Sequence, residues 1–359
     1  MKKRIISVVL SAIFLVSLCG CESKISGSDG SAVTIVSDVP DDHRTNPVAE
    51  WIFETENVEG GERITRVTGN NPVIDIPETV AGKKVVSMRN MSFDTDVDIT
   101  KLRIPSGVTE LNDFMGTFYI YSDVFSEIEV AADNPAFYSK DGVLYSKDNV
   151  LLCYPRGKAD ESFAIPDGVT AIGEYAFNNA RALKSVTIPE SVKELQQGAF
   201  NNCENLDAAN IPSGITELTH YVFGGCGKLS ELVIPERVTE ISGLTFYGSD
   251  WIDDHADENG LVIVNGILID GSNAKGDVTI PETATRIASG AFSINDELKS
   301  LVIPSSVTEI GELSFMYCTS LEHVVLPDEP DFDVEDLFYL MDGLTVEYRG
   351  EMITINDNE

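Results

Sequence analysis

Apolar residues return along this chain with a fixed period. Ile-Pro pairs stand at Ile165-Pro166, Ile188-Pro189, Ile211-Pro212, Ile234-Pro235, Ile280-Pro281 and Ile303-Pro304, with Leu326-Pro327 as a variant; successive pairs are 23, 23, 23, 46, 23 and 23 residues apart. Val169, Val192, Ile215, Val238 and Val307 follow four residues on, and Ile172, Leu195, Leu218, Ile241, Ile287 and Ile310 seven on. A Phe occupies the twelfth position, at Phe177, Phe200, Phe223, Phe246, Phe292, Phe315 and Phe338, and a Leu the eighteenth, from Leu183 and Leu206 to Leu344. A unit this short cannot bury such rows alone. Only stacked coils, each row lying over its copy in the next, give a continuous core.

Within one unit the residues ahead of Ile-Pro alternate. In Ser185-Val186-Thr187-Ile188, Val186 and Ile188 point inward while Ser185 and Thr187 point out. One such strand per coil predicts a parallel sheet along one side, stopped by Pro, which has no N–H for the ladder. The segment ending in Ala-Phe, such as Gly173-Glu174-Tyr175-Ala176-Phe177, predicts a helical turn opposite. The expected fold class is a repeat solenoid of ~23-residue units, with a parallel β-sheet on one side and short turns or 3₁₀ pieces on the other.

The pattern I-P-x-x-V-T-x-I-x-x-x-A-F-x-x-C-x-x-L-x-x-V-x resembles the BspA-like leucine-rich repeat carried by many bacterial surface proteins, over about residues 64–350. The resemblance implies a surface location and, as in some members, adhesion to host proteins or other bacteria. It carries no ligand, because the matching residues are core positions. A regular Asn ladder is missing, so the curvature of more familiar leucine-rich repeats does not transfer. Early copies are worn: Ile76-Pro77 and Ile104-Pro105 are visible, but residues 90–98 and 113–124 break register.

Two segments interrupt the array. Residues 128–158 contain Asp141-Gly142-Val143-Leu144-Tyr145, a polar turn and Val150-Leu151-Leu152-Cys153-Tyr154. The other reads Leu261-Val262-Ile263-Val264, Asn265-Gly266, Ile267-Leu268-Ile269, a hairpin whose Asn-Gly pair suits a type I′ turn. Both are expected to be hairpin inserts that widen the solenoid without founding a new domain. An open stack also leaves an apolar cross-section and an unpaired edge at each end. Trp51-Ile52-Phe53 with Ile64-Thr65-Arg66-Val67, and residues 344–348 with 352–355, are the expected caps.

Ahead of the array, Lys2, Lys3 and Arg4 precede an apolar run at 5–18, too short to span a bilayer and laid out as a secretory signal. It ends in Leu18-Cys19-Gly20-Cys21, which looks like a bacterial lipobox, with the Cys21 thiol taking up a diacylglyceryl group; two chains suffice for stable anchoring. The expected organisation is a signal peptide at 1–20, lipid attachment and a flexible Ser-, Gly- and Asp-rich tether at 21–48, and the solenoid with its caps at 49–359. This places the protein on the outer face of a bacterial cell membrane.

Charge narrows the partners. The 359 residues include 59 Asp and Glu against 25 Lys and Arg, a net charge of −34. Nucleic acid is excluded by the lack of clustered cations, and an acidic surface repels anionic headgroups, so the membrane is reached through the lipid only. With Cys19 removed and Cys21 acylated, Cys153, Cys203, Cys226 and Cys318 remain, too few for a disulfide scaffold. Cys203, Cys226 and Cys318 share the fifteenth position after Ile, where other units have Ala180 and Ser249, and read as small buried thiols. Cys203 and Cys226 lie on adjacent coils, close enough for a disulfide to be conceivable.

The chain contains no G-x-S-x-G elbow, H-E-x-x-H pair or phosphate loop, and we expect no catalytic residues, metal site or cofactor. His43 falls in the tether, His220 in a repeat turn, His255 in an acidic insert and His323 on the sheet face, all read as solvated or structural. An enzyme would need His255 to converge with Asp253 or Asp254 on a cleft. The acidic stretches at 94–98, 250–259 and 328–336 read as solvated loops, with weak divalent-ion binding as the alternative; the first has Ile99 and Pro105 where a calcium loop needs Gly and Glu.

What remains is the outward row of the sheet. In stack order it comprises Lys101 and Arg103, Ser162 and Ala164, Ser185 and Thr187, Ala208 and Asn210, Glu231 and Val233, Asp277 and Thr279, Ser300 and Val302, and His323 and Val325. Small neutral side chains dominate, a surface that suits a protein segment or glycan. The candidate ligand contacts are Ser185, Thr187, Asn210, Glu231, Asp277, Thr279, Ser300 and His323. The expected function is binding or adhesion at the cell surface, the alternative being a scaffolding lipoprotein that engages a partner in its own envelope.

Overall fold

In the computed structural model, which describes residues 33–35, 51–88, 92–111, 122–327, 337–338, 341 and 343–355, the strand ahead of each Ile-Pro pairs in parallel with its copy one unit on. Ser162–Ala164, Ser185–Thr187 and Ala208–Ala209 lie side by side, and a bridge extends the row from Ala208 to Glu231. Gly276–Thr279, Leu298–Val302, His323–Val325 and Thr345–Tyr348 form another parallel run. Val73–Asp75, Lys101–Ile104 and Glu127–Val130 form an earlier one. Alternation buries Leu102, Val186, Leu301 and Val324 and turns their neighbours outward.

From Val150 on, the coils also hold a second short strand, mostly of two residues, that the 23-residue period does not announce. Val150–Cys153, Ala171–Ile172 and Glu194–Leu195 pair in parallel, as do Glu217–Leu218 with Glu240–Ile241, and Ile267–Asp270, Arg286–Ile287 and Glu309–Ile310 in order. On the third side the backbone alternates in hand. Tyr175 and Asn179, Gly198 and Asn202, Tyr221 and Gly225, Gly290 and Ile294, and Leu313 and Tyr317 all have positive φ. Every second N–H therefore points along the stack: Tyr175, Phe177 and Asn179 donate to the carbonyls of Gln197, Ala199 and Asn201 at 3.0, 2.8 and 3.0 Å. These turns thus satisfy their backbone groups between coils.

The Phe row fills the interior. Phe177, Phe200, Phe223 and Phe246 stack at centroid separations of 4.8, 5.5 and 5.7 Å, and Trp251 continues the column at 4.5 Å. A second column runs Phe292, Phe315, Phe338 at 5.5 and 5.2 Å. It begins over Gly271, where a Cβ would stand 2.3 Å from the Phe292 ring. Trp251 lies on α1 (Asp250–His255), whose N-cap Ser249 accepts from the Trp251 N–H. The following hairpin, Val262–Val264 with Ile267–Asp270, turns at Asn265 and Gly266 with φ of 51° and 81°, the signs a type I′ turn requires. Asn265 Nδ2 donates to the carbonyls of Pro235 and Val238, both at 2.9 Å, tying the insert to the coil before it.

The first insert is an antiparallel meander of Phe137–Lys140, Val143–Ser146 and Val150–Cys153. Its middle strand serves two cores: Val143 and Tyr145 pack with the apolar cluster that reaches Ile355, and Leu144 with the cluster that begins at Trp51. At the N-terminal end Trp51–Val58 and Gly61–Thr68 form the expected hairpin, and Thr345–Tyr348 with Glu351–Thr354 form the other. Val33–Ile35, within the expected tether, pairs antiparallel with Trp51, Ile52 and Phe53. Cys21, the signal at 1–20 and the acidic stretch at 328–336 lie outside the described residues. No helix of the described residues is long and apolar enough to cross a membrane.

Candidate ligand-binding faces

The outward residues of the strands do not form one uninterrupted row. Ser185 and Thr187 belong to the sheet that starts at Ser162, which Glu231 joins through a bridge to Ala208, and Asn210 lies just past that sheet's last strand; Asp277, Thr279, Ser300 and His323 belong to the sheet that starts at Gly276. In the second, Asp277, Ser300, His323 and Thr345 stand directly opposite one another from strand to strand. Ser300 Oγ donates to Asp277 Oδ1 at 2.7 Å, and His323 Nε2 lies 4.0 Å from Glu347 Oε2. Asn210 is already engaged: Nδ2 donates to the Ile188 carbonyl and Oδ1 accepts from the Ile188 N–H, both at 2.8 Å. Its amide thus stands in for a strand residue, which the sequence position alone did not disclose. Val233, beside it in the row, is 82% exposed.

The earliest part of the face is an ion-pair network. Lys101 reaches Glu127 and Glu129 at 2.9 and 2.6 Å, and Arg103 reaches Asp75 and Glu129 at 2.9 and 3.1 Å. Hydrogen bonds to Glu129 and Glu127 hold the Lys101 ammonium above its ordinary pKa, and those from Lys101 and Arg103 hold Glu129 below its own. These pairs are exposed to solvent and fix side-chain positions more than they add stability.

Between this network and the next sheet the face is indented. Where the meander turns at Lys140 and Asp141 it stands beside the first strand of that sheet, leaving a cleft of ≈ 370 Å³ lined by Tyr145, Phe163, Ala164, Pro166 and Thr187 among others. Among the described residues Ser162–Ala164 is paired on one side only, to Ser185–Thr187, and its other edge lies toward the meander turn at Lys140 and Asp141. The cleft combines the half-buried Phe163, the small side chains of Ala164 and Thr187, and the oppositely charged Lys140 and Asp141.

The thiols are spent in the interior. Cys203, Cys226 and Cys318 are unbonded to one another, and their Sγ atoms lie 3.1, 3.2 and 3.0 Å from the carbonyls of Phe177, Phe200 and Phe292. Burial raises the Cys203 thiol well above its usual pKa and pushes Cys318 up to about 11, which keeps both in the unreactive form. His255 stacks on Trp251 at 3.9 Å, with Nδ1 2.8 Å from the Trp251 carbonyl, while Asp253 accepts from Asn273 at 2.8 Å. Asp253, one of the two partners an acid–base role would require, is thus directed toward Asn273. Among the described residues no group of three His, Cys, Asp or Glu could hold a metal ion.

The turn side holds a row that the alternation of strand residues does not announce. At the fourteenth position after Ile the coils carry Asn179, Asn202, Gly225 and Gly248, then Ile294 and Tyr317. All six have positive φ, and Ile294 and Tyr317 are 62% and 61% exposed. Leu313, at the tenth position, is likewise left-handed and exposed. The register was legible in the sequence; the backbone hand that makes these residues anomalous was not.

The model of the family described as BspA type Leucine rich repeat region matches residues 156–264 and 270–358, in six copies. Among solved structures, a leucine-rich cell surface protein from Faecalibacterium prausnitzii A2-165 is 20% identical, with 83% of this chain and 97% of that chain covered and a TM-score of 0.35. A leucine-rich repeat protein from Eubacterium ventriosum ATCC 27560 is 17% identical over 90% of this chain and 96% of that chain, TM-score 0.41. One from Bacteroides ovatus ATCC 8483 is 21% identical over 82% and 75%, TM-score 0.42. No curated protein matches the chain.

Proposed function

The chain belongs to the BspA-type leucine-rich repeat family, and from that premise we propose that it is a cell-surface protein, anchored through lipid on Cys21, that binds a protein or glycan ligand on its sheet face. The observation that carries this reading is the ≈ 370 Å³ cleft where the meander stands beside Ser162–Ala164, continuous with the outward row at Thr187. An extended ligand would lie along Ser162, Ser185 and Glu231 and drop one side chain or sugar ring against the half-buried Phe163. Main-chain groups on the open edge of Ser162–Ala164 add the hydrogen bonds that fix a strand in register. Adhesion is the role such an anchored binder performs.

The test is binding of the purified protein to host-matrix proteins, bacterial cells and a glycan array, compared with Ala164→Arg and Thr187→Arg, which fill the cleft from exposed positions. Both variants should keep the wild-type Tm and weaken binding by about tenfold or more. Absence of any ligand, together with normal adhesion of a deletion strain, would remove the proposal. Crosslinking in living cells that recovers only envelope proteins of the same cell would replace adhesion by scaffolding.

A further inference from the structure

We propose that the turn edge of the last repeats is a second docking surface, built from Ile294, Leu313 and Tyr317, for a partner polypeptide that presents apolar side chains flanked by Lys or Arg. The surface lies off the sheet face and goes beyond the ligand site proposed above.

These residues are costly where they stand. The inter-coil hydrogen bonds of the turn go with a left-handed backbone at the fourteenth position of all six coils and at the tenth of five, Leu244 being the exception; Ile294 N–H donates to the Met316 carbonyl at 2.8 Å within that ladder. Gly and Asn adopt this conformation readily, whereas a β-branched residue there is an outlier. The earlier coils follow the rule at the fourteenth position with Asn179, Asn202, Gly225 and Gly248. Ile294 and Tyr317 break it, with φ of 66° and 62°, and gain no burial in exchange. Leu313 adds a third strained apolar side chain on the neighbouring row, with φ 59° and 39% exposure. By contrast Tyr175, also left-handed, lies over Gly198 and is half-buried, so its cost is offset by packing. Strain maintained without a packing return marks a functional surface.

Charge selects the occupant. Of the acidic residues from 288 to 320, Glu297 is paired with Lys275 and Glu309 with Arg286. Asp296 and Glu312, adjoining the apolar trio in the chain, are exposed and form no ion pair among the described residues. Lys299 is the one basic residue in that stretch. An apolar centre with unpaired carboxylates at its rim complements a cationic, partly apolar segment. A second copy of a chain of net charge −34 is repelled, as is an anionic lipid surface. Ile and Leu offer a sugar ring no aromatic face, which leaves Tyr317 alone for a glycan.

The experiment pans a phage library of random peptides on the full chain, with the double variant Ile294→Asn plus Tyr317→Asn as counter-target. Asn restores the residue that Asn179 and Asn202 supply at the same position, so the variant should melt at the wild-type temperature or about 2 °C higher. Recovered peptides should combine apolar residues with Lys or Arg. A synthetic copy should bind the wild type in calorimetry, lose about tenfold or more on the double variant, and weaken as salt rises. Peptides that bind both proteins equally, or that lack basic residues, overturn the proposal. So does a lower melting temperature of the variant, which would make the side chains structural. A concentration-dependent dimer lost in the variant overturns it in favour of self-association, and a glycan-array signal lost in the variant with no peptide recovered overturns it in favour of a glycan.

Discussion

Asp270 sits at the end of the second hairpin, buried, with Oδ1 accepting from the N–H and the hydroxyl of Ser272 at 2.9 and 2.7 Å. Burial raises its pKa above the usual carboxylate value; the Ser272 hydrogen bonds pull it back in part, and the Asp253 charge adds to the rise. A carboxyl whose pKa is raised on folding favours the folded state when protonated, and that stability is lost as pH rises through the folded pKa. Ionised Asp270 therefore costs stability at neutral pH. Asp270→Asn keeps an oxygen for Ser272 and removes the charge, so its Tm should exceed the wild type at pH 7. The advantage should shrink as pH falls toward the unfolded value of about 3.9. An advantage that stayed constant from pH 7 to pH 4 would assign the effect to packing instead. At this scale the sequence was informative where a residue type recurs in register: the Cys203, Cys226 and Cys318 row read as small and buried, and it is. Asn210 shows the opposite case, because one polar residue at one outward position does not reveal that its amide faces the backbone of Ile188.

At the scale of elements, the strands ahead of Ile-Pro were legible because four alternating residues expose a period of two. The second ladder was not, because two residues such as Glu217–Leu218 show no period at all and only pairing with the next coil makes them a strand. That ladder gathers the acidic surface: Glu217 stands directly opposite Glu240, and Glu194 occupies the same position one coil earlier. Like charges facing each other across a ladder destabilise it. Arg286 relieves the far end, binding Glu240 through Nη1 and Nη2 at 2.7 and 2.8 Å and Glu309 through Nη2 at 2.9 Å. Those hydrogen bonds hold the Glu240 carboxyl below its usual pKa. Glu217 has no such counter-ion among the described residues. Glu217→Lys should therefore stabilise the protein by about 0.5 kcal/mol in urea titrations at low salt, and the gain should fall away by about 1 M NaCl. A gain that survives high salt would place its origin in strand propensity rather than charge.

The whole solenoid is divided at the meander into two hydrophobic clusters, and each holds one of the chain's two tryptophans. Trp51 packs over Gly69 with its indole N–H donating to the Val73 carbonyl at 2.8 Å; Trp251 closes the long Phe column between Phe246 and His255. In a stack whose coils touch only their neighbours, cooperativity passes from one coil to the next through the shared interface. Here that interface is a three-stranded insert whose Val143 and Tyr145 face one core and whose Leu144 faces the other. The N-terminal cluster is the smaller, and its repeats depart furthest from the 23-residue register. It should unfold first. In Trp251→Phe, fluorescence reports Trp51 alone, and in Trp51→Phe it reports Trp251 alone; the two conservative variants should give separate urea midpoints, the Trp51 signal changing at the lower concentration. Leu144→Ala should then lower the Trp51 midpoint while shifting the Trp251 midpoint little, because the cavity opens on the N-terminal side of the meander. Coincident transitions in both single-tryptophan proteins, moving together in Leu144→Ala, would mean that the meander couples the two cores into one cooperative unit.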